Sequence, residues 1–253
     1  MIGSGMIEIK SPSQLQIMRE AGRIVKEVLN LLRDSVHPGV TTLELDELAR
    51  VAFARLGARA AFKGYRGYPA NICTSVNDEV VHGIPSQRRL RAGDIIGIDV
   101  GSIVDGYYSD AAITVAVGQI RAEVRSLMEV TEESLMKGIQ KARAGHRLSD
   151  ISNAVQMKVE AHGYSVVREF VGHGIGAQLH EPPQIPNYGA AGYGPILKAG
   201  MVLAIEPMVN LGRPEVKLLP DQWTAVTQDG SWSAHFEHTV AVTEGEPEIL
   251  TKS

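Results

Sequence analysis

The sequence runs through one order of features twice. Gly39 to Gly57 reads GVTTLELDELARVAFARLG and Gly145 to Gly163 reads GHRLSDISNAVQMKVEAHG, each 18 residues from glycine to glycine with apolar residues at helical spacing. Downstream, Val81-His82-Gly83-Ile84 echoes Gly172-His173-Gly174-Ile175. The run Ala92-Gly93 to Asp99 echoes Ala199-Gly200 to Glu206, with an acid six residues after the glycine in both. Asp110 stands eight residues before Gly118, and Glu237 eight before Gly245. Each half therefore supplies a helix, His-Gly-Ile, an acid and then a second acid. Such repetition predicts two halves about a pseudo-twofold axis, with a cleft between them.

The rest of the pattern fits that frame. Ser11-Pro12-Ser13-Gln14 reads as a helix start, with a Ser cap, Pro at the first helical position and Gln to close a capping box. Leu15, Met18, Gly22, Val25, Val28 and Leu32 carry that helix to about Asp34. A second is expected from about Thr42 to Leu56, its apolar face made by Leu45, Leu48, Ala49, Ala52, Phe53 and Leu56, with Gly57 ending it. Ile72 to Val117 reads as β-rich, with turns at Gly83-Ile84-Pro85 and Asp105-Gly106. The second half predicts helices near Arg121–Ala144 and Ser149–His162, then strands. Helices grouped before strands imply an α+β fold, with helices covering one side of a largely antiparallel sheet. Residues 1–10 read as a lead and 11–253 as a single domain, with halves of about 11–118 and 119–250.

Composition narrows the partners. A net charge of −4 offers no basic field for nucleic acid, and 5% aromatic residues argue against stacking on bases. No apolar run is long enough to span a membrane, and the first residues do not read as a secretory signal. The single cysteine, Cys73, excludes an internal disulfide and fits a reducing cytoplasm. It has no basic neighbour to activate it as a nucleophile.

Asp99 sits in Ile95-Ile96-Gly97-Ile98-Asp99-Val100, and Glu206 in Met201-Val202-Leu203-Ala204-Ile205-Glu206. An ionised carboxylate in so apolar a strand is costly unless paired or coordinated. If Asp99 and Asp110 lie on adjacent antiparallel strands, with a tip near Asp105-Gly106, their side chains share one space. The duplication would bring Glu206 and Glu237 to the same axis. A lone buried Asp is more often satisfied by backbone or Arg, but four acids at equivalent positions would repel one another without cations between them. With the imidazole of His173 from a Gly-rich turn, the donor set suits divalent Co, Mn, Fe or Zn. His37, His146, His162 and His235 carry no motif context and read as solvated or structural.

This constellation resembles the methionine aminopeptidases of the bacterial-like type I, over essentially the whole chain from about Met6. The resemblance is carried by Gly64-Tyr65-Arg66-Gly67-Tyr68-Pro69, by Ser75 to Pro85 (SVNDEVVHGIP), by Gly172-His173-Gly174-Ile175-Gly176 followed by His180-Glu181, by Ala204-Ile205-Glu206-Pro207 and by Phe236-Glu237-His238-Thr239. It implies the pita-bread fold and the removal of initiator methionine from nascent polypeptides when the second residue is small. It implies two divalent ions, with Asp110 and Glu237 bridging both, Asp99 on one, and His173 and Glu206 on the other. Glu206 would also shuttle a proton, His180 would hold the scissile carbonyl, and His82 would contact the substrate nitrogen. Tyr65, Tyr68, Cys73, Leu179 and Trp223 would form the methionine pocket.

The implied partners are peptide and nascent-chain N-termini, met by a cytoplasmic monomer for which proximity to the ribosome is admitted. Two positions depart from the family: Leu179, where an aromatic residue is common, and Gly101, where a hydroxyl residue is common two positions after Asp99. One rival is a pita-bread peptidase cleaving before proline, which typically carries a large additional N-terminal domain for which this chain leaves no room. Another is a non-enzymatic binding protein of the same fold, which would be expected to have lost metal ligands.

Overall fold

The structure, a computed structural model, describes residues 6–252. Residues 1–5 of the expected lead lie outside the described residues. Lys10, within the same lead, is buried and ion-paired to Glu181 at 2.6 Å.

Helix α1 (Pro12–Ser35) begins as its sequence dictates: the Ser11 hydroxyl accepts from the Gln14 amide, and the Gln14 side chain accepts from the Ser11 amide. Thr41 and Glu44 repeat this box at the start of α2 (Thr42–Arg55). The second half supplies α3 (Ala122–Ile139) and α4 (Leu148–Glu160). Two expectations need correction. The third helix stops at Ile139 rather than Ala144, because Arg143 and Ala144 turn away to pair with Thr243, whose carbonyl accepts from Ala144 at 3.1 Å. Leu48 is 37% exposed, so the buried stripe of α2 is narrower than expected and runs through Leu45, Ala49, Ala52 and Phe53.

The strands that position the site are β1 (Ile72–Val76), β2 (Ile95–Val104), β3 (Tyr107–Ala116), β4 (Gly172–Gly174), β5 (Glu181–Ile185), β6 (Val202–Ile205) and β7 (Glu237–Ala241). Among the described residues nine strands form one antiparallel sheet, whose main run is β2-β3-β7-β6-β4-β5. β1 and the two-residue strand Arg59–Ala60 pair with β2, and Glu248–Ile249 pairs with β7. The β2–β3 hairpin turns at Asp105 and Gly106, with φ of 46° and 80°. Both residues are left-handed there, which matches the twist of the flanking strands.

The two halves join edge to edge where β3 meets β7, Ala112 facing Glu237. β2 and β3 on one side are answered by β6 and β7 on the other, as the duplication requires. The echo does not extend to the two His-Gly-Ile runs. His173 lies in the large sheet, whereas Val81, beside His82, pairs with Ala225 in a separate three-stranded sheet.

Strand alternation then separates core from chemistry. Ile96, Ile98, Val100 and Ala111 pack beneath α1 and α2 in one core cluster. Leu203, Ile205 and Val240 pack with Leu135, Ile139 and Ile151 of α3 and α4 in another. The helices of both halves thus cover one face. The intervening residues Asp99, Asp110, Glu237 and Ala204 turn to the other.

Candidate metal centre

Register places the five predicted ligands in two rows across the sheet. In the first, Asp99 faces Ala112, which faces Glu237 on its other side. Glu206 follows β6 one step beyond the Ile205–His238 pair and so stands opposite Glu237. In the second, Gly101 faces Asp110, and Ala204 lies between Thr239 and His173. Small residues at 112 and 204 leave the volume above the sheet to the acids.

The side chains converge. Donor atoms of Asp110, His173 and Glu237 lie within 4.8 Å of one another. His173 Nε2 is 3.7 Å from Asp110 Oδ2 and 3.6 Å from Glu206 Oε1. Asp110, His173 and Glu237 are buried, while Asp99 and Glu206 keep part of their surface on the cleft. Burial raises the carboxyls of Asp99, Glu206 and Glu237 well above the ordinary range, and the neighbouring acids raise them further. Asp110 is also raised by burial, with His173 and the Thr239 hydroxyl opposing.

The donor chemistry fits a divalent cation. His173 Nδ1 is 2.9 Å from the Gly174 carbonyl, an acceptor, so Nδ1 carries the proton. The Nε2 lone pair is then aimed at two carboxylates, an arrangement that calls for a positive charge between them. Asp99 Oδ1 is buried with no hydrogen-bond partner among the described residues, as a ligand oxygen would be. Thr239 fixes Asp110 from both sides: its hydroxyl donates to the Asp110 carbonyl at 2.7 Å and accepts from the Asp110 amide at 3.0 Å.

The acids form the floor of a cleft of about 290 Å³. Its walls hold all the predicted pocket residues: Tyr65, Tyr68, Cys73, Leu179 and Trp223. His82 and His180 line it as well. The Tyr65 hydroxyl lies 2.7 Å from His180 Nδ1, and the His180 ring centroid is 4.2 Å from that of His173. His180 is lowered to about 3, first by burial and then by His173. His82 is lowered to about 4 by burial and meets Phe170 edge-on at 5.4 Å. Burial pushes the Cys73 thiol up, with Asp99 adding to it, so the thiol stays protonated and serves as wall rather than nucleophile.

Sequence reasoning missed four side chains here, Arg66 of the cleft wall among them. Phe62 and Phe170 line the cleft, although no periodicity marked them. His235, expected to be solvated or structural, is only 4% exposed, and its Nε2 lies 3.9 Å from Glu206 Oε2. Its position two residues before Glu237 was the available signal. Gly101 is explained by Phe62: a Cβ there would stand 2.7 Å from the Phe62 ring and 2.8 Å from Ala61 Cβ. The missing hydroxyl is the condition for Phe62 to pack into the wall.

The model of metallopeptidase family M24 matches residues 16–244. A methionine aminopeptidase 1 of Bacillus subtilis is 55% identical over 247 residues, covering 98% of this chain and all of the relative. The crystal structure of a methionine aminopeptidase from Thermotoga maritima superposes with a TM-score of 0.97 at 47% identity, covering 98% of this chain and 100% of that one. A prolidase from Pyrococcus furiosus shares the fold at a TM-score of 0.80 and 23% identity, but this chain covers only 65% of it. The expected pita-bread fold is borne out.

Proposed function

We infer the reaction from a settled premise: this chain belongs to metallopeptidase family M24, and it is a metal-dependent aminopeptidase that removes methionine from peptide N-termini. The observation that carries the reading is the His173 Nε2 lone pair aimed at Asp110 and Glu206 on the floor of a cleft walled by aromatic and apolar side chains. The prolidase likeness supports the fold alone, and the non-enzymatic alternative is disfavoured by the intact donor set.

Residues 11–253 act as one catalytic domain, with halves of about 11–118 and 119–250. Asp110 and Glu237, central in their rows, would hold two divalent cations in common, with Asp99 on one and His173 and Glu206 on the other. When bound, the ions supply a Lewis acid and a water activated at neutral pH. The protein does the rest. Tyr65 donates to His180 Nδ1, which leaves the proton on Nε2 to be donated to the scissile carbonyl as charge develops there. His82 meets the substrate nitrogen beside the scissile bond, and Glu206 relays a proton to it. Tyr65, Tyr68, Cys73, Leu179 and Trp223 enclose the methionine side chain.

A monomer acting on nascent chains in the cytoplasm, near the ribosome, is the accompanying reading. The cytoplasmic part of it is supported by the single buried, unpaired cysteine. The physiological metal is one of Co, Mn, Fe or Zn.

Two measurements follow from the pocket. Released methionine from Met-Ala-Ser should far exceed that from Met-Lys-Ser in steady-state assays. Equal kcat/KM for the two would contradict the expected preference for a small second residue. Leu179 is 3% exposed in the pocket wall and remote from the proton-transfer groups in role. Leu179→Phe should therefore move KM for Met-Ala-Ser more than kcat, since a wall contact is felt alike in ground and transition states. A change in kcat alone would contradict a pure binding role for Leu179.

A further inference from the structure

We propose that His235 is a positioning residue for Glu206: its Nε2–H holds one carboxylate oxygen so that the other is presented beside His173. The inference rests on the metal-binding reading of the centre given above.

The first support is a buried ring nitrogen without a partner. His235 is 4% exposed, and its Nε2 has no hydrogen-bond partner among the described residues. A buried imidazole nitrogen left unsatisfied is costly, so its surroundings identify what it serves. Glu206 is the acid within 4 Å of it among the described residues, with Oε2 at 3.9 Å.

The second support is how Glu206 is shared. Its Oε1 lies 3.6 Å from His173 Nε2, and its Oε2 faces His235. The two oxygens are divided between two imidazoles of different character. His173 offers a lone pair, because its proton is held at Nδ1 by the Gly174 carbonyl. His235, with a proton on Nε2, offers a donor. A carboxylate movement of about 1 Å brings that donor into hydrogen-bonding range. Among the described acids His235 approaches the centre at Glu206, with Nε2 3.9 Å from Oε2.

The third support is the backbone. His235 pairs with Met208, two residues after Glu206. Its amide donates to the Thr114 hydroxyl at 3.0 Å, and that hydroxyl donates to the His235 carbonyl at 2.7 Å. Thr114 belongs to β3, which also carries Asp110. The ring is therefore carried by main chain tied to the strands of the centre. Without this donor, Glu206 is free to rotate or to offer both oxygens to one ion.

The test compares His235→Gln, which keeps an N–H donor, with His235→Leu, which has none. Each protein is stripped with chelator and titrated with Co²⁺, by calorimetry and by visible absorption, which reports coordination geometry. Co²⁺ should bind H235Q within about threefold of the wild-type affinity and H235L about 10–100-fold more weakly, the usual loss when a group orienting a ligand is removed. The H235L spectrum should also change, and its kcat on Met-Ala-Ser should fall with little change in KM. Should H235L fail to fold by circular dichroism, His235→Phe, which keeps a ring but no donor, takes its place. Wild-type affinity and spectrum in the donor-less variant would overturn the proposal, as would H235Q binding as weakly as that variant. A wild-type protein that takes up no Co²⁺ would instead overturn the metal-binding reading itself.

Discussion

Asp110→Asn is expected to lower kcat/KM on Met-Ala-Ser by about 10³-fold, the upper end of the loss for one preorganised electrostatic group. Asp110 is the centre of the arrangement. It faces Gly101, lies diagonal to Asp99 and Glu237 across Ala112, and comes within 3.7 Å of His173 Nε2. Asn keeps the shape and an oxygen that can still accept from the Thr239 hydroxyl. What it loses is the charge. Divalent metal titrated by calorimetry should therefore bind with lower stoichiometry or much lower affinity.

The same variant has an opposite effect on the metal-free fold. Burial raises the Asp110 carboxyl above its ordinary value. A carboxyl raised on folding penalises the folded state above its unfolded pKa, so at neutral pH a neutral side chain relieves that cost. Metal-free D110N should melt no lower than metal-free wild type, while losing most of the wild type's stabilisation by metal. A strongly lowered melting temperature in the absence of metal would make Asp110 a structural residue instead.

The second large effect separates the two facing imidazoles. Their centroids are 4.2 Å apart, yet their partners differ. His173 is locked by the Gly174 carbonyl with Nε2 toward carboxylates, and His180 is held by the Tyr65 hydroxyl. His173→Ala should weaken metal binding, because a ligand is gone. His180→Ala should retain the metals and lower kcat by roughly 10²–10³-fold, the usual loss for one donor to a developing oxyanion. Metal titration and steady-state kinetics on both variants decide. Metal loss in His180→Ala with full retention in His173→Ala would reverse the assignment.

Much of the frame was legible because it rests on local rules repeated twice. The Ser11–Gln14 box, the Asp105-Gly106 hairpin and the spacing of Asp99, Asp110, Glu206 and Glu237 are short-range patterns, and duplication made the acids stand out from ordinary buried carboxylates. What was not legible depends on packing between distant segments. Thr243 unwinds the end of α3, and nothing within Gln140–Ala144 announces it. Gly101 looked like a lost hydroxyl until Phe62 was found against it. His235 looked idle because its partner, Glu206, is brought near by strand pairing rather than by sequence.

The most direct measurement is hydrolysis of Met-Ala-Ser, Leu-Ala and Ala-Pro peptides after exhaustive chelation and re-addition of Co²⁺, Mn²⁺, Fe²⁺ or Zn²⁺ singly. Protein shown metal-free by elemental analysis should release nothing from any peptide, and at least one ion should restore release of methionine from Met-Ala-Ser. Full activity in the metal-free protein, or restored cleavage of Ala-Pro in preference to Met-Ala-Ser, would contradict this.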